Sequence, residues 1–504
     1  MSNVLSFAWE APRIDYHAFA PELVVVIGLA VLMLVDLFAG EREKWAQSSL
    51  AGITLLVAAV PVVTLAADGA DRALFGGAYV VDDFALVLKG LFLAAGYVVV
   101  LLSTNYIAEG DYWEGEYYQL LLAALLGMMV MASARDLISI FVALELLSIP
   151  AYLLAAWRKR DLRSNEAGLK YYLMGVFASA ILLYGMSLLY GSTGSTLLAD
   201  IGAVIANTAG TRPLVTLGIV FVIVGFGFKV SAVPFHTWAP DTYEGAPTPV
   251  TSFLAVASKT AGFVALLVFV FVGFYGPNGS DVYQPMLFVL AVASMTVGNL
   301  IALRQDNIVR MLAYSGIAQA GYMLAPLAVA GTNPEVGDTA LRSIVVYLLI
   351  YAAMNLGAFG VVIAVARKTR SAELTSFGGL FQYAPGLTVA MTFFLFSLAG
   401  IPPLAGWFAK FEIFRALVSP GTTAGYVLAV VVGVNSVVAL FYYARIARQM
   451  WMEEPPDGDR APVRVPVSLT AALGICSVIT LLFGVAPHLV TRLTENVTLL
   501  GIGP

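Results

Sequence analysis

Cysteine is almost missing from this sequence: Cys476 is the single one in 504 residues. One thiol closes no internal disulfide, and without a CxxC pair the chain offers no thiolate set for zinc or an iron–sulfur cluster. Histidine is nearly as scarce, at His17, His236 and His488, and the three lack the paired helical spacing that haem ligation uses. No cofactor is therefore expected in this chain, and redox chemistry connected with it is expected to sit in another chain. Charge is the third scarcity. Charged residues make up 12%, against about 25% in soluble domains. The net charge of −5 comes with no basic patch, which speaks against a nucleic-acid partner.

What fills the chain instead is apolar. Hydrophobic residues account for 60% and the mean hydropathy is +0.86, the composition of a polytopic membrane protein whose surroundings are a lipid bilayer. The start, MSNVLSFAWEAPRIDY, lacks a basic region followed by a short apolar core and a small-residue cleavage site. The first span is expected to remain and to serve as its own insertion signal.

A spanning helix needs about 20 mostly apolar residues. Fourteen segments qualify, roughly 19–39, 47–67, 83–104, 116–132, 136–156, 168–190, 213–238, 248–273, 283–303, 307–330, 342–366, 386–418, 423–447 and 467–490. The expected fold is thus all-α and integral to the membrane. Most connections are short, so one helical bundle is expected. Arg158, Lys159, Arg160 and Arg163 follow the fifth span, Arg367, Lys368 and Arg370 the eleventh, and Arg445, Arg448, Arg460 and Arg464 the thirteenth. The loops after the eighth and twelfth spans hold no Lys or Arg. The positive-inside bias puts the loops after odd-numbered spans in the cytoplasm and both termini on the other side. The acidic loop 108–116 adds no support.

Two spans read as broken. The seventh runs GFGFKVSAVPFHTWAP, with Pro234 and Pro240 inside it; the twelfth runs FSLAGIPPLAGWFAKF, with Gly400, Pro402, Pro403 and Gly406. Proline removes a backbone donor and clashes one turn back, and the freed carbonyls are tolerated in a membrane only where they line a polar cavity. Breaks at matching places in two halves mark inverted repeats. We therefore expect spans 1–3 over residues 1–115, one five-helix repeat (helices 4–8) over 116–275, a second (helices 9–13) over 276–450, and a cytoplasmic loop with helix 14 over 451–504.

Against this background four charges stand out, because Glu145, Lys229, Lys259 and Lys410 each lie inside a span. A charge at mid-bilayer costs about 2.5–3.5 kcal/mol on insertion scales, so such residues read first as parts of an ion or proton path. Lys229 lies five residues before Pro234 and too deep to snorkel easily to the interface. A lysine taken out of water holds its proton less firmly, as a group that must release and regain one requires. Glu145, in FVALELLSIPAY, finds no neutralising group in its own turn, and a Glu145–Lys229 ion pair is the economical expectation. Lys259 sits among small residues in SFLAVASKTAGF, and Lys410 follows the second break. Glu412 and Arg415 are nearer a helix end and are expected at the boundary.

Other polar residues leave two readings open. His236 lies between Lys229 and Lys259 in sequence; histidine is the side chain whose unperturbed titration falls near neutral pH, which suits a relay, or else it caps freed carbonyls. Asp241 and Glu244 gather protons at an entrance or cap the next span. Lys170 is expected to snorkel and Lys89 to be structural or peripheral. Asp306 and Arg310 are expected to pair with each other.

FKVSAVPFHTWAPDTYEGAPTPVTSFLAVASKTAGF, NIVRMLAYSGIAQAGYML and FSLAGIPPLAGWFAKF resemble the antiporter-like, proton-translocating subunits of respiratory complex I. The likeness covers most of the chain from span four to span thirteen. Within that family it is closest to the subunit N branch: the length is near that branch's, YEGAPTPVT and IAQAGY stand where the sister subunits L and M read differently, and the long lateral helix of L is not expected after span fourteen. The resemblance implies fourteen helices with two inverted repeats, and it assigns proton-path roles to Glu145, Lys229, Lys259 and Lys410. It implies a bacterial plasma membrane, with subunit M and the small subunits K and J as neighbours. NADH, FMN, iron–sulfur clusters and quinone are then expected in other subunits. The expected function is proton translocation driven by redox chemistry elsewhere; the alternative is a subunit of a multisubunit sodium/proton antiporter. A structural scaffold and a small-solute transporter are weaker readings, the last because few other polar side chains accompany the lysines.

Overall fold

The computed structural model describes residues 14–38, 45–110, 114–207, 212–331 and 333–500. The amino-terminal stretch read for a signal, and both chain termini, lie outside the described residues. Among the described residues, twelve helices are long and apolar enough to cross a membrane, and two shorter apolar helices, Pro213–Lys229 and Pro385–Ala399, accompany them. With so few polar side chains, the backbone must satisfy its own hydrogen bonds within each segment, and the helix does this.

The helices sort by burial. Thr248–Gly273, Ile308–Val329 and Pro334–Thr369 are almost wholly buried, whereas Ala20–Phe38, Leu162–Thr193, Thr423–Met452 and Val467–Val485 bury about a third of their residues or fewer. The outer helices turn side chains such as Leu37, Phe38, Phe177, Val437 and Phe441 outward. An apolar exterior of this kind belongs against lipid tails rather than water. The centre is thus a three-helix axis that carries Lys259, Gly316 and Tyr351.

Both expected breaks are present, with a common construction. The helix Pro213–Lys229 stops as Ser231 takes φ 60°. The Ala232 amide then reaches back to the Gly227 carbonyl at 2.8 Å and the Ser231 amide to Phe228 at 3.0 Å. The helix Pro385–Ala399 stops as Gly400 takes φ 94°. Here the Ile401 amide reaches Phe396 at 3.0 Å and the Gly400 amide reaches Ser397 at 2.9 Å. Each is a Schellman end, in which a left-handed residue lets two amides satisfy carbonyls of the last turn. The chains resume at Trp238–Gly245 and Ala405–Val418. Pro240 therefore does not break a helix. It sits in the first turn of the second piece, where a missing N–H leaves no bond unmade.

Three features depart from the sequence reading. A short antiparallel hairpin, Arg72–Leu74 with Tyr79–Val81, joins the second and third long helices. A nine-residue helix, Leu198–Ala206, lies between the Leu162–Thr193 and Pro213–Lys229 helices. The last span ends at Val485, and a separate helix follows from His488 to Thr494 past Pro487.

Candidate functional site

Lys229 is the last helical residue before the first break and is buried, with its side chain crossing to two other helices. Its Nζ donates to Ser148 Oγ at 3.0 Å and to Tyr171 OH at 3.5 Å. A cation at the carboxyl end of a helix is favoured by the peptide dipoles there. Glycine makes the approach feasible: a Cβ at Gly262 would come within 2.9 Å of Lys229 Cγ. The expected direct Glu145–Lys229 ion pair is not formed. Glu145 accepts instead from Ser179 Oγ at 2.6 Å, while Ser148, three residues further along the same helix, takes the lysine. The reason is geometric. Positions 145 and 148 lie near one another along that helix, but Ser148 is buried on the bundle side and Glu145 is half-buried toward the flank.

Lys259 follows directly on a stretch of wider π-helical turn, Leu254–Ser258. Such insertions loosen the regular ladder and often occur at functional sites. Its Nζ donates to the Gly316 carbonyl at 2.7 Å. A Cβ at Gly316 would stand 3.1 Å from both that Nζ and Tyr351 OH, so only glycine leaves the lysine this seat without pressure. Tyr351 OH in turn accepts from Asn355 Nδ2 at 2.9 Å.

Lys410 lies beyond the second break and folds back over it. Its Nζ donates to the Ala399 carbonyl at 2.7 Å, at the carboxyl end of the first half-helix, and sits 5.0 Å from the Tyr322 ring centre. A Cβ on Gly400 would meet Lys410 Cδ at 2.8 Å. Between Lys259 and Lys410 runs a buried polar string that sequence reading missed. Gln319 donates to the Leu398 carbonyl at 3.2 Å and to Tyr443 OH at 3.4 Å, and it accepts from Tyr347 OH. Ser315 bonds Tyr443, and Asn299 Nδ2 donates to Tyr322 OH at 3.2 Å. The quoted YSGIAQAGY segment held Ser315, Gly316 and Gln319, but uncharged residues on one helix give no sign of what faces them.

His236 occupies the first break, half-buried, with Tyr314 as its aromatic neighbour at 6.5 Å between ring centres. Its Nδ1 is buried without a side-chain hydrogen-bond partner among the described residues. Among the described residues, no hydrogen bond joins its side chain to Lys229 or Lys259. Asp241 and Glu244 are tied into an ion cluster rather than capping a helix. Arg310 Nη1 lies 2.8 Å from Asp241 and 3.0 Å from Glu244, and Lys170 Nζ lies 2.7 Å from both Asp241 and Glu166. Burial pushes the Asp241 carboxyl up, but hydrogen bonds from Lys170 and Arg310 outweigh it and hold the group below its ordinary range. Two expectations are corrected here. Lys170 is held by carboxylates rather than snorkelling free. Asp306 pairs with Arg445, not Arg310, because Asn307 caps the helix with its side chain on the Arg310 amide at 3.1 Å, leaving Asp306 outside the first turn.

The other buried charges form a contrasting class. Lys89 is buried against Glu22 at 2.9 Å and donates to Tyr79 OH at 2.9 Å. Arg135 and Asp82 pair at 2.8 Å, also buried. Glu412 is buried, not at the boundary, and is met by Arg415 at 2.7 Å. Glu22 escaped the sequence reading because it lies in the first turn of a span, where a carboxylate looks solvated.

The chain's residues 134–437 match the family described as NADH:quinone oxidoreductase/Mrp antiporter, transmembrane. A protein of Trichlorobacter lovleyi named NADH-quinone oxidoreductase subunit N is 39% identical over 488 residues, covering 96% of this chain and 97% of that one. This chain belongs to the NADH-quinone oxidoreductase subunit N family. A second family member, from Solibacter usitatus, is 44% identical over 426 residues, 84% of this chain and 83% of its own. Among solved structures, a chain of respiratory complex I from Thermus thermophilus superposes with a TM-score of 0.76 at 32% identity, covering 94% of this chain and 98% of that one. A chain of the Mrp complex from Dietzia shares the fold, with a TM-score of 0.83 at 22% identity over 96% and 97% of the two chains.

Proposed function

We propose that the chain is a proton-translocating membrane-arm subunit of an NADH:quinone oxidoreductase, and that Glu145, Lys229, Lys259, Lys410 and His236 carry its proton path. One observation carries the assignment of the lysines. Each of the three buried ammonium groups is held by neutral oxygens, Ser148 and Tyr171, Gly316, and Ala399, whereas Lys89 is locked by the carboxylate of Glu22. An ammonium paired with a buried carboxylate keeps its proton, because losing it would leave an uncompensated charge. One solvated by carbonyl and hydroxyl dipoles can hand the proton on without that penalty. If the lysines only locked helices together, all four would be expected to resemble Lys89.

The proposed order follows the contacts. Protons enter from the cytoplasmic side near the Asp241–Glu244–Arg310 cluster, where cavities of about 200 and 680 Å³ share Arg163 and Glu244. They load Lys229 and Lys259, with His236 joining by way of water, since its side chain hydrogen-bonds to neither lysine. The Ser315–Tyr443–Gln319–Tyr347 string links the Lys259 region to the second break, and Lys410 is the last station. Glu145 is the input. It lies in an outward stripe with Ile138, Val142, Ile149 and Leu153, all exposed, a face suited to a neighbouring membrane subunit, for which subunit M, K or J is the candidate. A change in the charge beside Glu145 would act on Lys229 through the short step from residue 145 to Ser148.

The finer architecture belongs to the same proposal. Fourteen spans result when each broken helix counts as one crossing. The matched Schellman ends support two inverted five-helix units over 116–275 and 276–450, with both termini on the non-cytoplasmic side of a bacterial plasma membrane. NADH, FMN, iron–sulfur clusters and quinone would reside in other subunits. The identity to relatives named NADH-quinone oxidoreductase favours this reading over a sodium/proton antiporter subunit. The test is Lys229→Ala and Glu145→Ala in the assembled complex: assembly is expected to persist while proton-coupled turnover drops strongly. Full pumping by an assembled Lys229→Ala complex would refute it.

A further inference from the structure

Away from the proton path, a cavity of about 470 Å³ opens among the helices Trp45–Asp68, Asp83–Ala108, Pro334–Thr369 and Val467–Val485. Val62, Leu91, Val98, Leu356, Ile479 and Phe483 are among its apolar walls. The lining includes two charged residues, Asp83 and Arg492, and one amide, Asn496. We propose that this cavity binds one phospholipid with a primary-amine headgroup, the acyl chain inside and the headgroup between Arg492 and Asp83.

Three observations point to that occupant. Close packing is the rule in protein interiors, and voids are costly, yet here small residues hold one open. A Cβ at Gly90 would meet nothing within 4 Å, and Ala94, Ala95, Ala352 and Ala353 also line the space. The cavity has the reach of an acyl chain. It follows its helix from Asp83 to Val98, about 22 Å at 1.5 Å per residue, which exceeds half of a hydrocarbon core about 30 Å thick. Val63 at its lip is exposed to the lipid side. The third observation is charge. Arg492 is exposed, and neither it nor Asp83 forms an ion pair among the described residues. A guanidinium takes a phosphate with charge-assisted hydrogen bonds, and a carboxylate takes an ammonium. A headgroup with a phosphate alone would set a second anion beside Asp83, and an uncharged quinone head would satisfy neither residue.

The test counts lipids on the intact complex by native mass spectrometry after purification in mild detergent, with phosphatidylethanolamine and phosphatidylglycerol as the added probes. Gly90→Phe should fill the cavity and Arg492→Glu should repel the phosphate. Each is expected to lower occupancy by one phosphatidylethanolamine about tenfold, a change of about 1.4 kcal/mol or more. Asp83→Ala should let phosphatidylglycerol compete equally. Arg492→Glu lies on the exposed rim and serves as the decisive variant if Gly90→Phe fails to assemble. Unchanged phosphatidylethanolamine stoichiometry in Arg492→Glu, or a quinone mass lost in its place, would overturn the proposal.

Discussion

Replacing Lys89 and Lys410 one at a time with methionine should separate a lysine that holds the fold from one proposed to move a proton. Both lysines are buried, and methionine is an unbranched side chain of similar length. Removing Lys89 leaves the Glu22 carboxylate, which is also fully buried, without its 2.9 Å partner. Breaking a buried pair from one side costs about 3–5 kcal/mol, a large share of the roughly 5–15 kcal/mol that holds a folded protein together. Removing Lys410 strands no charge. It deletes one hydrogen bond to the Ala399 carbonyl, roughly 1–3 kcal/mol if that carbonyl stays unpaired, and it relieves the several kcal/mol of burying an ammonium. Lys89→Met is therefore expected to reduce the amount of assembled complex on native gels, with near-normal turnover per assembled molecule. Lys410→Met is expected to assemble normally and to lose proton-coupled turnover. Adding Glu22→Leu to Lys89→Met should restore assembly, since both charges then leave together. Normal assembly of Lys89→Met, or an assembly defect in Lys410→Met as deep as that of Lys89→Met, would refute the reasoning.

Gly400→Ala should mimic the loss of Lys410 in pumping assays, because a left-handed φ of 94° with a side chain costs about 1–2 kcal/mol and the added methyl meets Lys410 Cδ. Ser148→Ala removes the 3.0 Å acceptor of Lys229, and turnover in vesicles should fall about tenfold or more, the equivalent of one hydrogen bond to a charged group; an unchanged rate would remove Ser148 from the path. Arg310→Ala leaves Glu244 without its partner in a half-exposed cluster. The stability change should stay near 1 kcal/mol, so a defect in proton uptake measured at matched complex content would mark a functional role. The Asp241 carboxyl is held below its ordinary range, so its stabilising contribution is fully present above about pH 4 and disappears only as pH falls through its lowered value. Thermal stability should therefore fall on acidification later in the wild-type complex than the ordinary carboxylate range implies, and Asp241→Asn should flatten that part of the profile.

The positions of the spans could be read from apolar run length, since a helix of that kind is the one structure that satisfies its backbone in lipid without help. The two breaks were legible because each combines two prolines within a few residues, whereas the lone Pro61, Pro150 and Pro285 lie inside helices that continue through them. Lys229, Lys259 and Lys410 were visible because an isolated charge in such a run is conspicuous whatever surrounds it. Pairing was not legible. The expected Glu145–Lys229 contact gave way to Ser148 and Ser179, and Arg310 chose Asp241 and Glu244 over Asp306. Each of those partners comes from another helix or from a cap, and spacing along one helix says nothing about rotation of its neighbours.

The amino-acid order by itself determined that this chain crosses a membrane many times, where its two broken helices are interrupted, and that Lys229, Lys259 and Lys410 lie at depth. These are local properties, set by hydropathy, backbone donors and the few residues that tolerate a turn. Only the tertiary structure decided which buried lysine is neutralised by a carboxylate and which rests on dipoles. Lys89 and Lys259 are alike in sequence, each the one basic residue of an apolar helix. One meets Glu22 and the other the Gly316 carbonyl because packing turns those particular faces together, and that choice of partner is what separates a fastening from a station on the proposed proton path.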